Sequence, residues 1–133
     1  MKTQLLLIDD HEEFRRHVRR LLEKEPSMRV TGEAGDGSSA VRLAGELGPD
    51  IVLMDVKMPI LGGIEATRQI ADLHPAIKII GLSMHGDASY VEAMLLAGAA
   101  GYVLKDTAAT FLTAAIASVL AGQVYLSPGL ESA

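Results

Sequence analysis

Ile51-Val52-Leu53-Met54-Asp55-Val56-Lys57-Met58-Pro59 is the stretch that decides the fold. Four consecutive apolar residues, two of them β-branched, read as a strand buried on both faces, and Asp55 stands where it runs out. Met58-Pro59 and then Gly62-Gly63 are turn chemistry, so the chain leaves the sheet just after Asp55. A carboxylate is thereby set at the carboxyl end of a core strand, facing the crevice where open α/β sheets bind ligands.

The same pattern repeats on both sides of this strand. Leu5 to Ile8 is a short apolar strand ending in Asp9-Asp10, and Phe14, Val18, Leu21 and Leu22 follow at helical spacing until Pro26. Arg29 to Ala34 gives a second strand. Ser38 or Ser39 can cap a helix carrying Ala40, Val41, Leu43, Ala44 and Leu47, stopped by Gly48-Pro49. Beyond Asp55, a helix from Ile64 to Leu73 precedes Pro75, and Ile77 to Leu82 is a fourth strand reaching Ser83. Ser89 to Ala97 reads as a helix, Gly101 to Leu104 as a fifth strand ending in Lys105, and Thr107 to Ala121 as a last helix. Five strands alternating with five helices predict an α/β fold, a doubly wound five-stranded parallel sheet with helices on both faces.

The chain of 133 residues suits one core. Residues 1–123 are expected as a single domain. Residues 124–133, with Ser127-Pro128-Gly129, are expected as the start of a linker or a free C-terminal tail. Half the residues are hydrophobic (49%) and 22% are charged, which excludes a disordered chain. A net charge of −5 gives no support to direct nucleic-acid binding by this segment. The absence of Cys excludes disulfides, thiolate metal sites and a Cys nucleophile. The first apolar run is too short for a signal-peptide core or a membrane span, so a cytoplasmic, membrane-free protein is expected.

Only side chains at strand carboxyl ends share the crevice: Asp9 and Asp10, Asp55, Ser83 and Lys105. Three carboxylates this close repel one another and call for a cation, and hard oxygen ligands suit Mg²⁺. An ionised Asp55 could then attack phosphorus, with Ser83 donating a hydrogen bond and Lys105 a charge to the phosphoryl oxygens. Each residue alone has an ordinary explanation; Asp10, for instance, could complete a capping box with Glu13. The joint arrangement carries the inference.

At this point the chain resembles the response-regulator receiver domain of two-component signalling, over residues 4 to about 122, through LLLIDDHEEFR, DIVLMDVKMPILGGIEA, IIGLSMH and AGAAGYVLKD. Asp10-His11, Tyr102-Val103-Leu104-Lys105-Asp106 and GQVYLSP are most similar to the NarL/FixJ subfamily, whose receivers precede a LuxR-type helix-turn-helix domain. The resemblance implies a flavodoxin-like, CheY-like strand order 2-1-3-4-5. It implies a phosphoryl group passed to Asp55 from a sensor histidine kinase, Mg²⁺ held by Asp10, Asp55 and the backbone carbonyl of Lys57, and Asp9 assisting through water. Ser83 and Lys105 would contact the phosphoryl group, Tyr102 would be the switch aromatic, and Lys57 and His85 would tune the acyl-phosphate lifetime. Receivers often carry Pro after the fifth-strand Lys, with a cis peptide; Asp106 here predicts a trans one. The helix-turn-helix output domain is absent from this chain.

An aspartyl-phosphate phosphatase is the enzyme alternative, but it needs an acid two residues after its nucleophile, where Lys57 stands. His11 and His17 are expected as surface residues. The last helix has no charge between Thr107 and Gly122; Phe111, Leu112, Ala115, Ile116, Val119 and Leu120 form its expected inward stripe. Its small, nearly apolar remainder implies cover by a partner, by the output domain or by a second copy in a homodimer, with Tyr90, Met94 and Leu96 extending the patch.

Overall fold

The computed structural model describes residues 2–84 and 86–130. Strands β1 (Thr3–Ile8), β2 (Met28–Ala34), β3 (Ile51–Asp55), β4 (Lys78–Ser83), β5 (Gly101–Leu104) and β6 (Tyr125–Leu126) form one sheet in the order β2-β1-β3-β4-β5-β6. Every neighbouring pair is parallel. Helices α1 (Glu12–Glu23), α2 (Gly37–Leu47), α3 (Gly63–Leu73), α4 (Ala88–Ala97) and α5 (Ala108–Leu120) make the crossovers. From β1 the chain winds one way to β2, and from β3 it winds the other way, so the topological switch point lies between the carboxyl ends of β1 and β3.

Alternation along the strands divides the core in two. Leu5, Leu7, Ile51, Leu53, Ile80, Leu82 and Val103 face α1 and α5, while Leu6, Ile8, Val52, Met54, Ile79 and Tyr102 face α2, α3 and α4. All five residues of β3 are buried, as two neighbouring strands and two covered faces require. Two helical layers thus leave only the sheet ends for polar chemistry.

Three details differ from the sequence reading, and one ordinary alternative is removed. The first helix begins after His11 with no side-chain cap, so the Asp10–Glu13 box does not form and Asp10 is left for the crevice. The second is capped by Asp36, whose carboxylate accepts from the Ser39 N–H at 2.7 Å; an Asp ahead of two serines competes well for that position. On α5, Leu120 faces outward at 47% exposure, because the helix ends there, whereas Met94 on α4 is fully buried. The sheet also has one strand more than expected. Tyr125 and Leu126 pair with Gly101 and Tyr102 and cover the outer edge of β5. The described peptide bonds include no cis bond, as Asp106 predicts.

Candidate functional site

Each crevice residue is delivered by the end of a strand. The Asp55 side chain is nearly buried where β3 stops, and the start of α3 lies close against the Asp55 backbone carbonyl. Gly63 makes that approach possible: a Cβ there would lie 1.9 Å from the Asp55 carbonyl oxygen, and its N–H donates to the Val56 carbonyl at 2.8 Å. The sequence marked Gly62-Gly63 as a turn; their contribution to holding Asp55 follows only from the packing.

Lys105 leaves β5 in a short 3-10 turn (Lys105–Thr107) and is 8% exposed. Its ammonium lies 2.6 Å from Asp9 Oδ2 and 3.3 Å from Asp55 Oδ1, bridging β1 and β3 across the switch point. It also stands 4.8 Å from the centroid of the Phe14 ring, an aromatic wall that amphipathic spacing alone identified only as helix core. Asp9 is completely buried; its Oδ2 has that ammonium as close partner but no aligned hydrogen-bond donor, and its Oδ1 accepts from the His11 N–H at 2.8 Å. The Arg15 guanidinium donates to the Asp9 carbonyl, tying α1 to the end of β1.

Asp10, the next residue, is exposed at the rim. Asp9, Asp10, His11 and Asp55 each offer a ligand atom, all within 4.8 Å of one another. His11, expected only at the surface, is exposed but places Nδ1 3.2 Å from Asp10 and 3.3 Å from Asp9. The signal for this was its position directly after Asp10.

Crowding has an electrostatic consequence. Burial first, and then the Asp9 charge, push the Asp55 carboxyl up from 3.8 to about 7, against the opposing pull of Lys105. Such a donor set, rich in hard oxygens and short of positive charge, fits a divalent cation of the Mg²⁺ type.

Ser83 and Tyr102 are buried beside this cluster. The Tyr102 ring faces inward in the space left by Gly81, where a Cβ would come within 3.2 Å of the ring and 3.1 Å of Met94. Its hydroxyl shares a hydrogen bond with Ser83; burial raises the phenol's pKa and that bond opposes the rise. Lys57 is exposed, with Nζ 5.0 Å from the centroid of the Tyr90 ring. His85 lies outside the described residues. The structure therefore gathers Asp9, Asp10, Asp55 and Lys105 at one point, with Ser83 and Tyr102 adjoining.

Comparison with known proteins agrees with this geometry. The response regulator receiver domain family matches residues 5–117. The transcriptional regulatory protein DegU of Brevibacillus brevis is 42% identical over 96% of this chain and 54% of its own length. The crystal structure of a LuxR-family two-component response regulator from Aurantimonas sp. superimposes with a TM-score of 0.92 at 41% identity, covering 96% of this chain and 91% of the other. A structure of the Salmonella typhimurium response regulator RcsB, described in terms of DNA interaction, gives a TM-score of 0.87 at 27% identity over 96% of this chain and 64% of that one. The chain spans about half the length of the curated relatives it matches, 54 to 59%. With the carboxylate cluster at the β1/β3 switch point, these matches make the chain a member of the response-regulator receiver domain family, in its NarL/FixJ subfamily.

Proposed function

We propose that this receiver domain is a phosphorylation-controlled switch in which Asp55 accepts a phosphoryl group from the phosphohistidine of a sensor histidine kinase. The observation that supports it best is the Lys105 ammonium held between buried Asp9 and Asp55, since a cation in that place serves a carboxylate that must acquire further negative charge. An Asp55 carboxylate oxygen attacks phosphorus in line, the P–O bond forms as the P–N bond of the donor breaks, and the leaving imidazole takes up a proton. Asp10, Asp55 and the Lys57 carbonyl would hold Mg²⁺, with Asp9 assisting through water. Bound there, the ion neutralises charge on the phosphoryl oxygens and favours the ionised form of Asp55. Lys105 and the Ser83 hydroxyl take the remaining phosphoryl oxygens. The domain thus catalyses only its own phosphorylation and dephosphorylation, with Lys57 and His85 tuning the lifetime of the acyl phosphate.

Movement of Ser83 toward the phosphoryl group is registered by Tyr102, which already shares a hydrogen bond with it. The face made by α4, β5 and α5 then changes its partner. By analogy with DegU and the LuxR-family relative, the output is a LuxR-type DNA-binding domain for transcription regulation, in the cytoplasm. No described helix is long and apolar enough to cross a membrane. The exposed Ala109, Ala114, Ala117 and Leu120 of the uncharged α5 suit a second copy of the chain.

The test is intact-protein mass after incubation with acetyl phosphate, with and without Mg²⁺, on this chain and on Asp55→Asn. One added phosphoryl group that requires both Mg²⁺ and Asp55 is expected. Equal addition to Asp55→Asn would reject the assignment.

A further inference from the structure

The C-terminal segment is hydrogen-bonded to the strand that carries both Tyr102 and the approach to Lys105. Beyond the β6 pairing, the Ser127 N–H donates to the Tyr102 carbonyl at 3.0 Å, and the Ser127 Oγ accepts from the Leu104 N–H at 3.1 Å. Ser127 is 1% exposed although it follows a two-residue edge strand. The Leu130 N–H donates to the Ser127 carbonyl at 3.0 Å and turns the chain back toward the loop after β4. A Cβ on Gly86 in that loop would meet Leu130 at 3.3 Å and Leu104 at 3.5 Å.

These contacts bracket the working end of β5. The Leu104 N–H belongs to the residue before Lys105, so its acceptor fixes the peptide from which the ammonium reaches Asp9 and Asp55. Leu126, paired with Tyr102, packs against the same side of the sheet as the Tyr102 ring and fills space beside it at the sheet edge. A docked tail therefore favours the inward ring. A detached tail would leave the Leu104 N–H without its acceptor and open the edge next to the ring.

We infer that Ser127 is a positioning residue: through Leu104 and Tyr102 it couples docking of the C-terminal segment to the state of Asp55. The inference rests on the phosphoacceptor reading of Asp55. Coupling of this kind is reciprocal. If the docked tail holds Lys105 and Tyr102 where a phosphorylated Asp55 needs them, then a phosphoryl group on Asp55 must hold the tail more tightly. The domain would then pass its signal directly along the backbone by which the chain leaves it.

The experiment uses the 133-residue chain with Mg²⁺ and beryllofluoride, a phosphoryl mimic. Amide hydrogen exchange is read residue by residue, and beryllofluoride is titrated against wild type, Ser127→Ala, Ser127→Thr and Leu126→Ala. On loading the wild type, exchange of the Leu104 and Ser127 amides is expected to slow by about fivefold. Ser127→Ala and Leu126→Ala should raise the beryllofluoride midpoint by about the same factor, while Ser127→Thr, which keeps the hydroxyl, recovers most of the loss. An unchanged midpoint in a folded Ser127→Ala, with only its Tm lowered, would overturn the coupling. So would unaltered exchange at Leu104 and Ser127 in a wild type whose residues around Asp55 respond to beryllofluoride; this arm decides alone if the variants do not fold. Absence of any response at Asp55 would instead reject the phosphoacceptor reading, and the coupling with it.

Discussion

The two ends of the sheet treat charge in opposite ways. At the carboxyl end, Asp9, Asp55 and Lys105 are buried together within 2.6 to 3.3 Å. At the amino end, Asp50 and Lys78 are exposed; the Asp50 carboxylate accepts from the Gln4 N–H at 2.7 Å and its carbonyl from the Lys78 N–H at 3.0 Å. Asp50 and Asp55 flank or end the same strand, five residues apart, yet one is a solvated brace and the other a buried group raised to about 7. Water at the first end screens each charge at little expense, whereas at the second the charges must satisfy one another. Folding alone would not favour such a cluster, which supports the proposal that this end carries the chemistry.

Removing one member of the buried set should have the largest effect. Lys105→Met leaves Asp9 and Asp55 facing each other without their shared cation, and a loss of about 3 kcal/mol in unfolding free energy is expected. Phosphorylation by acetyl phosphate should fall by about a hundredfold in the same variant. Lys78→Met, at the other end, should stay within about 0.5 kcal/mol of wild type and phosphorylate normally. Chemical denaturation and time-resolved intact mass measure both quantities. Similar stability losses in the two variants would erase the contrast.

The raised Asp55 carboxyl gives a pH-dependent effect with a definite sign. In the folded, metal-free chain it keeps its proton up to about pH 7, but once unfolded it releases it near 3.8. Between these values the folded chain holds the extra proton, so this group's contribution to stability is present below about pH 4, falls as pH rises toward 7, and is flat above. Relative to Asp55→Asn, wild-type Tm should therefore decline across that interval. Saturating Mg²⁺ should reduce the decline by favouring the ionised carboxylate. A wild-type profile parallel to that of Asp55→Asn in the absence of Mg²⁺ would show that Asp55 is not strained by its neighbours.

Much of this contrast was legible in the sequence, because strand ends are. Apolar runs that stop at Asp9, Asp55, Ser83 and Lys105 locate those residues at one edge as soon as the strands are taken as parallel. What escaped the reading depended on three-dimensional neighbours. Gly63 resembles any turn glycine until α3 is seen against the Asp55 carbonyl, and His11 resembles any surface imidazole until the turn after β1 brings it to Asp9. Tyr125-Leu126 is too short and too close to Pro128 to announce a strand; only the open edge of β5 makes it one. Phe14 and Leu120 both fit an inward stripe by spacing, but Phe14 lies under a cation and Leu120 faces outward at a helix end.

A small expected effect at the amino end isolates the comparison most cleanly. Asp50→Ala removes a carboxylate of the same type, from the start of the strand that Asp55 ends, and with it the acceptor for the Gln4 N–H. That amide lies at the exposed end of β1, so water can replace the lost partner, and a loss of about 1 kcal/mol is expected. Asp55, across the length of β3, should keep its elevated pKa and its rate of phosphorylation. Titration of Asp55 by carboxyl carbon NMR, together with the acetyl phosphate assay, checks this. A shifted Asp55 titration in Asp50→Ala would mean that the two ends of the strand communicate through the sheet, and that the amino end takes part in setting the site instead of only supporting it.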